Sequence, residues 1–402
     1  MASTTVANVA GSIPIKWRME MLKTADGYLV ADKFANTEVE SEPTGNTVRI
    51  NRVLRPAKTT SALSAGTLIP AASATNLLTN YIDLTPEVWG EPFGFDEDVS
   101  LQSILSKKAV RDAVSNHMAR TLDYQIMKKM STQGFRYRND GDSTYISNGE
   151  VDSGTTTTIV DAASGKLDQA DDFWLPGGRV TITNPAGPGY DQTSAVSDSD
   201  QGNTDITFAA MTVAPTTASR YSVTVGTGIV ATDVLTAANI IKMAAFHEKF
   251  QTEKFEGGTI RAFLSSDQKA DLWTDTGFTD SATYDDSGRF RNYSIIRWLG
   301  NEFMVSSEIY REDADGTENQ SSGAVYVAPF FGANAYTVIR FGNKGAGSKF
   351  GVEFIPVEGA DSGNLLKSET FLSWKGNFAA KVTRATSCIG LMTGATDQGI
   401  IV

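Results

Sequence analysis

SLQSILSKKAVRDAVSNHMARTLDYQIMKKMSTQ, Ser100 to Gln133, contains neither proline nor glycine. Val110, Val114, Met118, Leu122, Ile126 and Met130 recur every four residues, joined by Ala113 and Met127, and that spacing lines up one face of an α-helix. Gly134 ends the run. At 1.5 Å of rise per residue the helix reaches roughly 50 Å, about three times the usual length. A single apolar stripe without sustained heptad charges predicts a strut lying on a sheet.

Upstream, Ile13 to Phe34 carries Trp17, Met21, Leu22, Tyr28, Leu29, Val30 and Phe34 at spacings compatible with one helix stripe, with Pro14 suited to a first turn. From Asn46 to Leu54 the period changes to two: Val48, Ile50 and Val53 face one side, Arg49, Asn51 and Arg52 mostly the other. Pro56 to Asn80 is nearly all Ala, Ser, Thr and Leu, without a charge after Lys58, and Tyr81 to Trp89 resumes a strand pattern. The whole reads as a long two-stranded finger, which is marginal alone in water. Leu63, Leu68, Ile69, Leu77 and Leu78 would stand unburied on it unless another molecule covers them. Arg49, Arg52, Arg55 and Lys58 form a basic row suited to nucleic acid or to an acidic patch on a neighbouring subunit, and the second is favoured.

Downstream the composition shifts to Thr, Ser, Gly and Asp over residues 150–228, with strand-like runs at Thr155 to Val160, Phe173 to Thr183, Asp205 to Phe208 and Arg220 to Val225. A small antiparallel barrel or sandwich is expected. It holds ten acids against three bases, more than half of the excess behind the chain's net charge of −12. Beyond it, Thr236 is a plausible cap for a helix through Ile240, Ile241, Ala244, Ala245 and Phe250, ended by Gly257 and Gly258. Thr259 to Leu264 reads as a buried strand and Ser266 to Trp273 as a short helix; Ala324 to Ala328, Ala335 to Phe341 and Lys349 to Val357 read as strands. Phe371 to Leu391 supplies one or two long amphipathic strands.

At 402 residues the chain can hold two or three cores, and 41% hydrophobic residues supply them. The acidic balance argues against free-standing affinity for DNA or anionic membranes. One cysteine, Cys388, excludes an intrachain disulfide framework, and the N-terminus lacks the basic and apolar regions of a signal peptide. No membrane span is expected: the best apolar stretch, Ile229 to Phe246, is interrupted by Asp233 and Lys242.

Catalytic, cofactor and metal readings are each outweighed. His117 and His247 fall in helices without a metal-ligating partner at i+4. Gly342 to Lys349 superficially resembles a phosphate loop, but Lys and Ser are transposed and a strand follows where a helix should begin. A calcium loop starting at Asp198 would need a bidentate Glu where Ala209 stands. The acid pairs Asp171-Asp172 and Asp285-Asp286 are sequence neighbours, whose side chains as a rule diverge, and nothing local would split their pKa values; Cys388 sits in an apolar strand with no basic neighbour closer than Arg384.

The order of arm, finger, strut helix, β-module and mixed α/β body resembles the HK97-like fold of tailed-phage major capsid proteins. More narrowly, Leu63-Ser-Ala-Gly-Thr-Leu-Ile-Pro70, Tyr81-Ile-Asp-Leu84, Phe95-Asp-Glu-Asp98 and Thr121-Leu-Asp-Tyr124 resemble stretches of the N4-like podophage capsid subfamily. The likeness is good over about residues 12–134 and looser over 235–400; Ala65 departs from it where relatives commonly have an acid.

The resemblance implies an α+β chain with five parts. These are an N-terminal arm at 1–44, an E-loop at 45–95, the P-domain spine helix at 96–149, an inserted all-β domain at 150–228, and the A-domain with the remaining P-domain strands at 229–402. It implies a virion shell subunit, assembled in the host cytoplasm into hexamers and pentamers, with no catalytic residue, cofactor or metal. Intersubunit contacts would come from Arg49, Arg52, Arg55, Lys58, Leu63, Leu68, Ile69, Leu77 and Leu78 of the E-loop and from Trp17, Met21, Tyr28 and Phe34 of the arm. A retained N-terminus implies a separate scaffolding protein; a portal, decoration proteins and weak, non-specific contact with packaged double-stranded DNA complete the expected partners. The acidic module is expected to face away from the DNA. Two rival readings are an encapsulin-like compartment and a secreted carbohydrate-binding or hydrolytic β-rich protein, the latter prompted by Trp174 and Tyr190 in the module.

Overall fold

A computed structural model describes residues 30–40, 47–53, 79–96, 107–138, 146–162, 179–183, 192–198, 205–211, 214–217, 219–224, 229, 232–279, 297–313, 317–320, 323–341, 352–357 and 369–396. Trp17, Met21, Tyr28, Arg55, Lys58, Leu63, Leu68, Ile69, Leu77, Leu78, the Gly342 to Lys349 loop and the acid pairs at 171–172 and 285–286 lie outside the described residues.

The strut is present as α1, Lys107–Gln133, about 40 Å long at 1.5 Å per residue. Its stripe serves two partners in succession. Val114, Met118 and Leu122 pack on Trp374 and Phe378, whereas Ile126, Met127 and Met130 pack with Tyr336, Val338, Val382 and Cys388. Ala113, expected on the stripe, is exposed, because it stands 100° round the helix from Val114. Gly134 ends α1 where there is no room for a side chain: a Cβ there would lie 2.5 Å from the Cys388 carbonyl oxygen.

The sheet under α1 is organised by one long strand, Glu369–Val382. Along one edge it pairs antiparallel with Glu87–Asp96; along the other it pairs in turn with Val352–Val357 and Tyr336–Phe341. Asn36–Glu40 then adds in parallel outside Tyr336–Phe341. Period two assigns the faces: Trp374, Phe378 and Val382 point at α1, and Ala379 with Ile339 points the opposite way. On that opposite face sits the root of the finger, a two-stranded ribbon of Val48–Val53 and Thr79–Leu84, through Ile82, Leu84, Val48 and Ile50. The expected strand from Tyr81 to Trp89 is therefore two strands. The chain breaks between them at Thr85 and Pro86, and proline has no N–H to give to a ladder.

A second sheet orders Arg297–Trp298, Asn301–Val305, Ile260–Leu264, Val325–Phe331, Cys388–Thr393 and Phe135–Arg138, with Arg311–Glu312 added beside Val325–Phe331. Pro329 is tolerated within it because Arg311–Glu312 covers only positions 325–326 of its strand and Ile260–Leu264 only 330–331. Two helices cover this sheet: α2, Ala237–Lys249, and α3, Ser266–Thr274, which carries a capping box between Ser265 and Gln268. Helix α2 departs from expectation in three ways. It ends at Lys249, well before Gly257; Ile241 and Ala245 are exposed while Met243 and His247 are buried. Thr236 makes no side-chain cap, and Asp275 accepts the Ala237 N–H instead at 2.7 Å.

The β-module is one seven-stranded antiparallel sheet ordered Ile146–Glu150, Arg220–Thr224, Arg179–Thr183, Gln192–Asp198, Asp205–Phe208, Thr158–Val160 and Ser153–Gly154. Laid flat, six spacings of about 4.8 Å would part its outer strands by roughly 29 Å. Only residues 151 and 152 join those outer strands, a span of at most about 11 Å, so the sheet curls into a half-barrel. Val180, Ile182, Tyr221, Val223, Ile206 and Phe208 fill its concave core. The expected strand from Thr155 is shortened to Thr158–Val160, because Thr155 Oγ1 accepts the N–H groups of Thr157 and Thr158 and forms a turn. The strands Ile146–Glu150, Gln192–Asp198, Asn301–Val305 and Asn36–Glu40 were not foreseen.

Candidate assembly surfaces

The finger root is built by the face rule. Arg49 and Asp83 are directly opposed across the ribbon, and Arg49 holds both carboxylate oxygens at 2.7 and 2.9 Å on the exposed side. That hydrogen bond keeps the Asp83 carboxyl below its ordinary range. Beneath, Lys381 donates to the Asp83 carbonyl oxygen at 3.1 Å from a largely buried position, and burial pulls its pKa down. Among the described residues the ribbon is thus pinned to the body by apolar contact and by Lys381, without a shared ladder. Arg52 belongs to the ribbon strand Val48–Val53.

The arm's root occupies the other face of the sheet. Val30 precedes a short 3-10 turn, Ala31–Phe34, in place of the end of an α-helix. Phe34 meets Phe263 with ring centroids 6.2 Å apart and lies under the Arg261 guanidinium at 4.3 Å. Asp123 of α1 accepts the N–H groups of Val30 at 2.8 Å and of Ala31 at 3.1 Å. Tyr336 closes the clamp from the sheet by donating to the Ala31 carbonyl oxygen. Desolvation raises the Asp123 carboxyl to about 6 in spite of both hydrogen bonds. Sequence reading quoted this residue within Thr121-Leu-Asp-Tyr124 but gave it no role; a further signal is a carboxylate between Leu122 and Ile126 of the apolar stripe.

The strand edges without a partner strand among the described residues include the outer sides of Asn36–Glu40 and Glu87–Asp96. Val88 on the latter is 65% exposed. Edges of this kind are templates for pairing with another chain.

The residues weighed for chemistry are engaged otherwise. His117 accepts from the Trp374 indole N–H at 3.3 Å and lies 3.2 Å from Glu91. His247 is buried, faces Thr252, and is pulled down to about 4 by desolvation. Cys388 is buried and its thiol is pushed up to about 12. Among the described residues no group of three or more His, Cys, Asp or Glu is placed to hold a metal ion, and no helix is long and apolar enough to cross a membrane.

No family model and no curated protein matches this chain. Solved structures do. The capsid of cyanophage Pam1 aligns with a TM-score of 0.53 at 12% identity, covering 93% of this chain and 93% of that one. The fold is that of tailed-phage capsid proteins, the HK97-like fold. The capsid of Ralstonia phage GP4 aligns at 0.50 and 12% identity over 92% of this chain and 90% of that one. The capsid of cyanophage P-SCSP1u aligns at 0.50 and 10% identity over 92% and 89%. At identities of 10–12% the likeness is one of fold.

Proposed function

We propose that this chain is the major capsid protein of a tailed phage, a structural subunit and not an enzyme, which builds an icosahedral shell from copies of itself. The observation that carries this reading is the alignment along 93% of both chains with the Pam1 capsid, since a partial match would leave room for a different assembly. In this reading the E-loop, residues 45–95, lies over a neighbouring copy, and the arm, residues 1–44, reaches another. Such contacts bury on the order of 2,000 Å² or more, enough to cover Leu63, Leu68, Ile69, Leu77 and Leu78. Arg49, Arg52, Arg55 and Lys58 would add charge contacts on the E-loop, and Trp17, Met21, Tyr28 and Phe34 apolar ones on the arm.

The finer reading adds the N4-like subfamily, an insertion spanning 150–228 that faces outward, a separate scaffolding protein, a portal and decoration proteins. The curled antiparallel sheet within 146–224 supports the insertion, and its excess of acids supports the outward face.

Sedimentation and electron microscopy of the purified full-length chain test this reading. Shells, capsomers or tubes are expected, with nuclease-protected DNA inside particles recovered from infected cells. A monodisperse monomer with the ribbon tip folded on its own body overturns it. Protein cargo in place of DNA turns the shell into a compartment. A particle map with the half-barrel inside the shell refutes the outward placement.

A further inference from the structure

The clamp on the arm's root joins parts of the chain far apart in sequence, and its central group is a carboxylate only 2% exposed. Val30 offers no side-chain oxygen to cap the Ala31–Phe34 turn, so Asp123 of α1 does that work across 92 residues. The charged and titratable groups around it come from each element packed there. Lys33 lies on the turn itself. Glu308 belongs to the segment crossing α1, where Arg120 holds it at 2.7 Å. Tyr336 holds the Ala31 carbonyl, with Arg261 and Cys388 beside it. Burial and the like charge of Glu308 both oppose ionisation of Asp123, while the two N–H groups and Lys33 favour it.

We propose that Asp123 is a proton-linked latch for the root of the N-terminal arm: residues 30–34 dock more tightly when the carboxyl is protonated and more loosely when it is ionised.

The direction follows from linkage. If undocking returns Asp123 to water, its pKa falls back toward the ordinary carboxylate value, so docking takes up a proton and acid favours the docked state. Both oxygens can still accept hydrogen bonds in the acid form, so protonation keeps the clamp and removes the cost of a buried charge. The difference between 3.8 and about 6 sets a ceiling of about a hundredfold on the docking equilibrium, reached only below pH 3.8; between neutral pH and pH 5 the change is about tenfold. The inference stands on the isolated chain and does not rest on the capsid reading.

Hydrogen exchange of the full-length chain tests it, read as protection of the amides in residues 30–34 from pH 5 to 8 and corrected for intrinsic rates. In the wild type protection rises on acidification below about pH 6, by about tenfold at pH 5. Asp123→Asn abolishes that dependence. Glu308→Gln, which leaves the clamp intact, moves the onset of that rise to lower pH by removing the like charge. Flat or inverse protection in the wild type overturns the proposal, as does a dependence that survives Asp123→Asn or an onset that Glu308→Gln leaves in place.

Discussion

Arg136 and Glu312 form a fully buried two-pronged ion pair, with N–O distances of 2.8 and 3.1 Å. Arg136 Nε also donates to the Ser131 carbonyl oxygen at 2.9 Å. The pair fastens the edge strand Phe135–Arg138 to Arg311–Glu312, which lies beyond Cys388–Thr393 and Val325–Phe331 in the second sheet. It also holds the strand on which the half-barrel rests, because Ser222 and Thr181 donate to the Arg136 and Gly134 carbonyl oxygens.

Glu312→Gln leaves a buried guanidinium without its counter-charge and is expected to cost about 3–5 kcal/mol. Replacing both partners together, Arg136→Met with Glu312→Leu, is expected to recover most of that loss. Denaturant unfolding of the three variants checks both statements; a double variant as unstable as Glu312→Gln contradicts the second.

Gly134→Ala drives a methyl group into the Cys388 and Met130 carbonyl oxygens, 2.5 and 2.8 Å from the ideal Cβ. Both obstacles are backbone, so the end of α1 must shift. A loss of about 1–3 kcal/mol is expected, and an unchanged unfolding midpoint would show that the helix and strand can part freely.

The Cys388 thiol, pushed up to about 12 by burial, stays protonated and shielded. A disulfide reagent at pH 8 is expected to label the folded chain far more slowly than the unfolded chain, in which the same thiol titrates near its ordinary value. Rapid labelling of the folded chain would contradict the burial.

His247 contributes a pH slope of defined sign. Its folded value, about 4, lies below the ordinary 6.5, so the unfolded chain takes up the proton first. Its contribution is complete above about 6.5 and is lost as pH falls toward 4, a ceiling of about 3 kcal/mol. Asp123 slopes the other way between 3.8 and about 6, so the measurement is the difference between wild type and His247→Gln across this window. Parallel stability curves for the two proteins would refute the assignment.

Local pattern was enough for the strut, for the ribbon, whose Val48 and Ile50 face the body and Arg49 the outside, and for the buried strand now seen at Ile260–Leu264. Each depends on neighbours in sequence, because helical and extended periodicities place side chains on faces before any partner is chosen. The residues of the surfaces were only half legible. Arg49 was picked for its charge, but its opposition to Asp83 depends on ribbon register. Phe34 was picked for its size, but its place between Phe263 and Arg261 depends on the second sheet.

What the amino-acid order determined by itself was local periodicity, as in the strut helix, the root of the finger and the buried strand at Ile260–Leu264. Tertiary structure alone decided who caps whom. Val30 and Thr236 cannot cap their own turns with a side chain here, and Asp123 and Asp275 do so from 93 and 38 residues away. A hydrogen bond of that kind is set by packing, which brings distant backbone and carboxylate together in a place without water, and no local spacing encodes it.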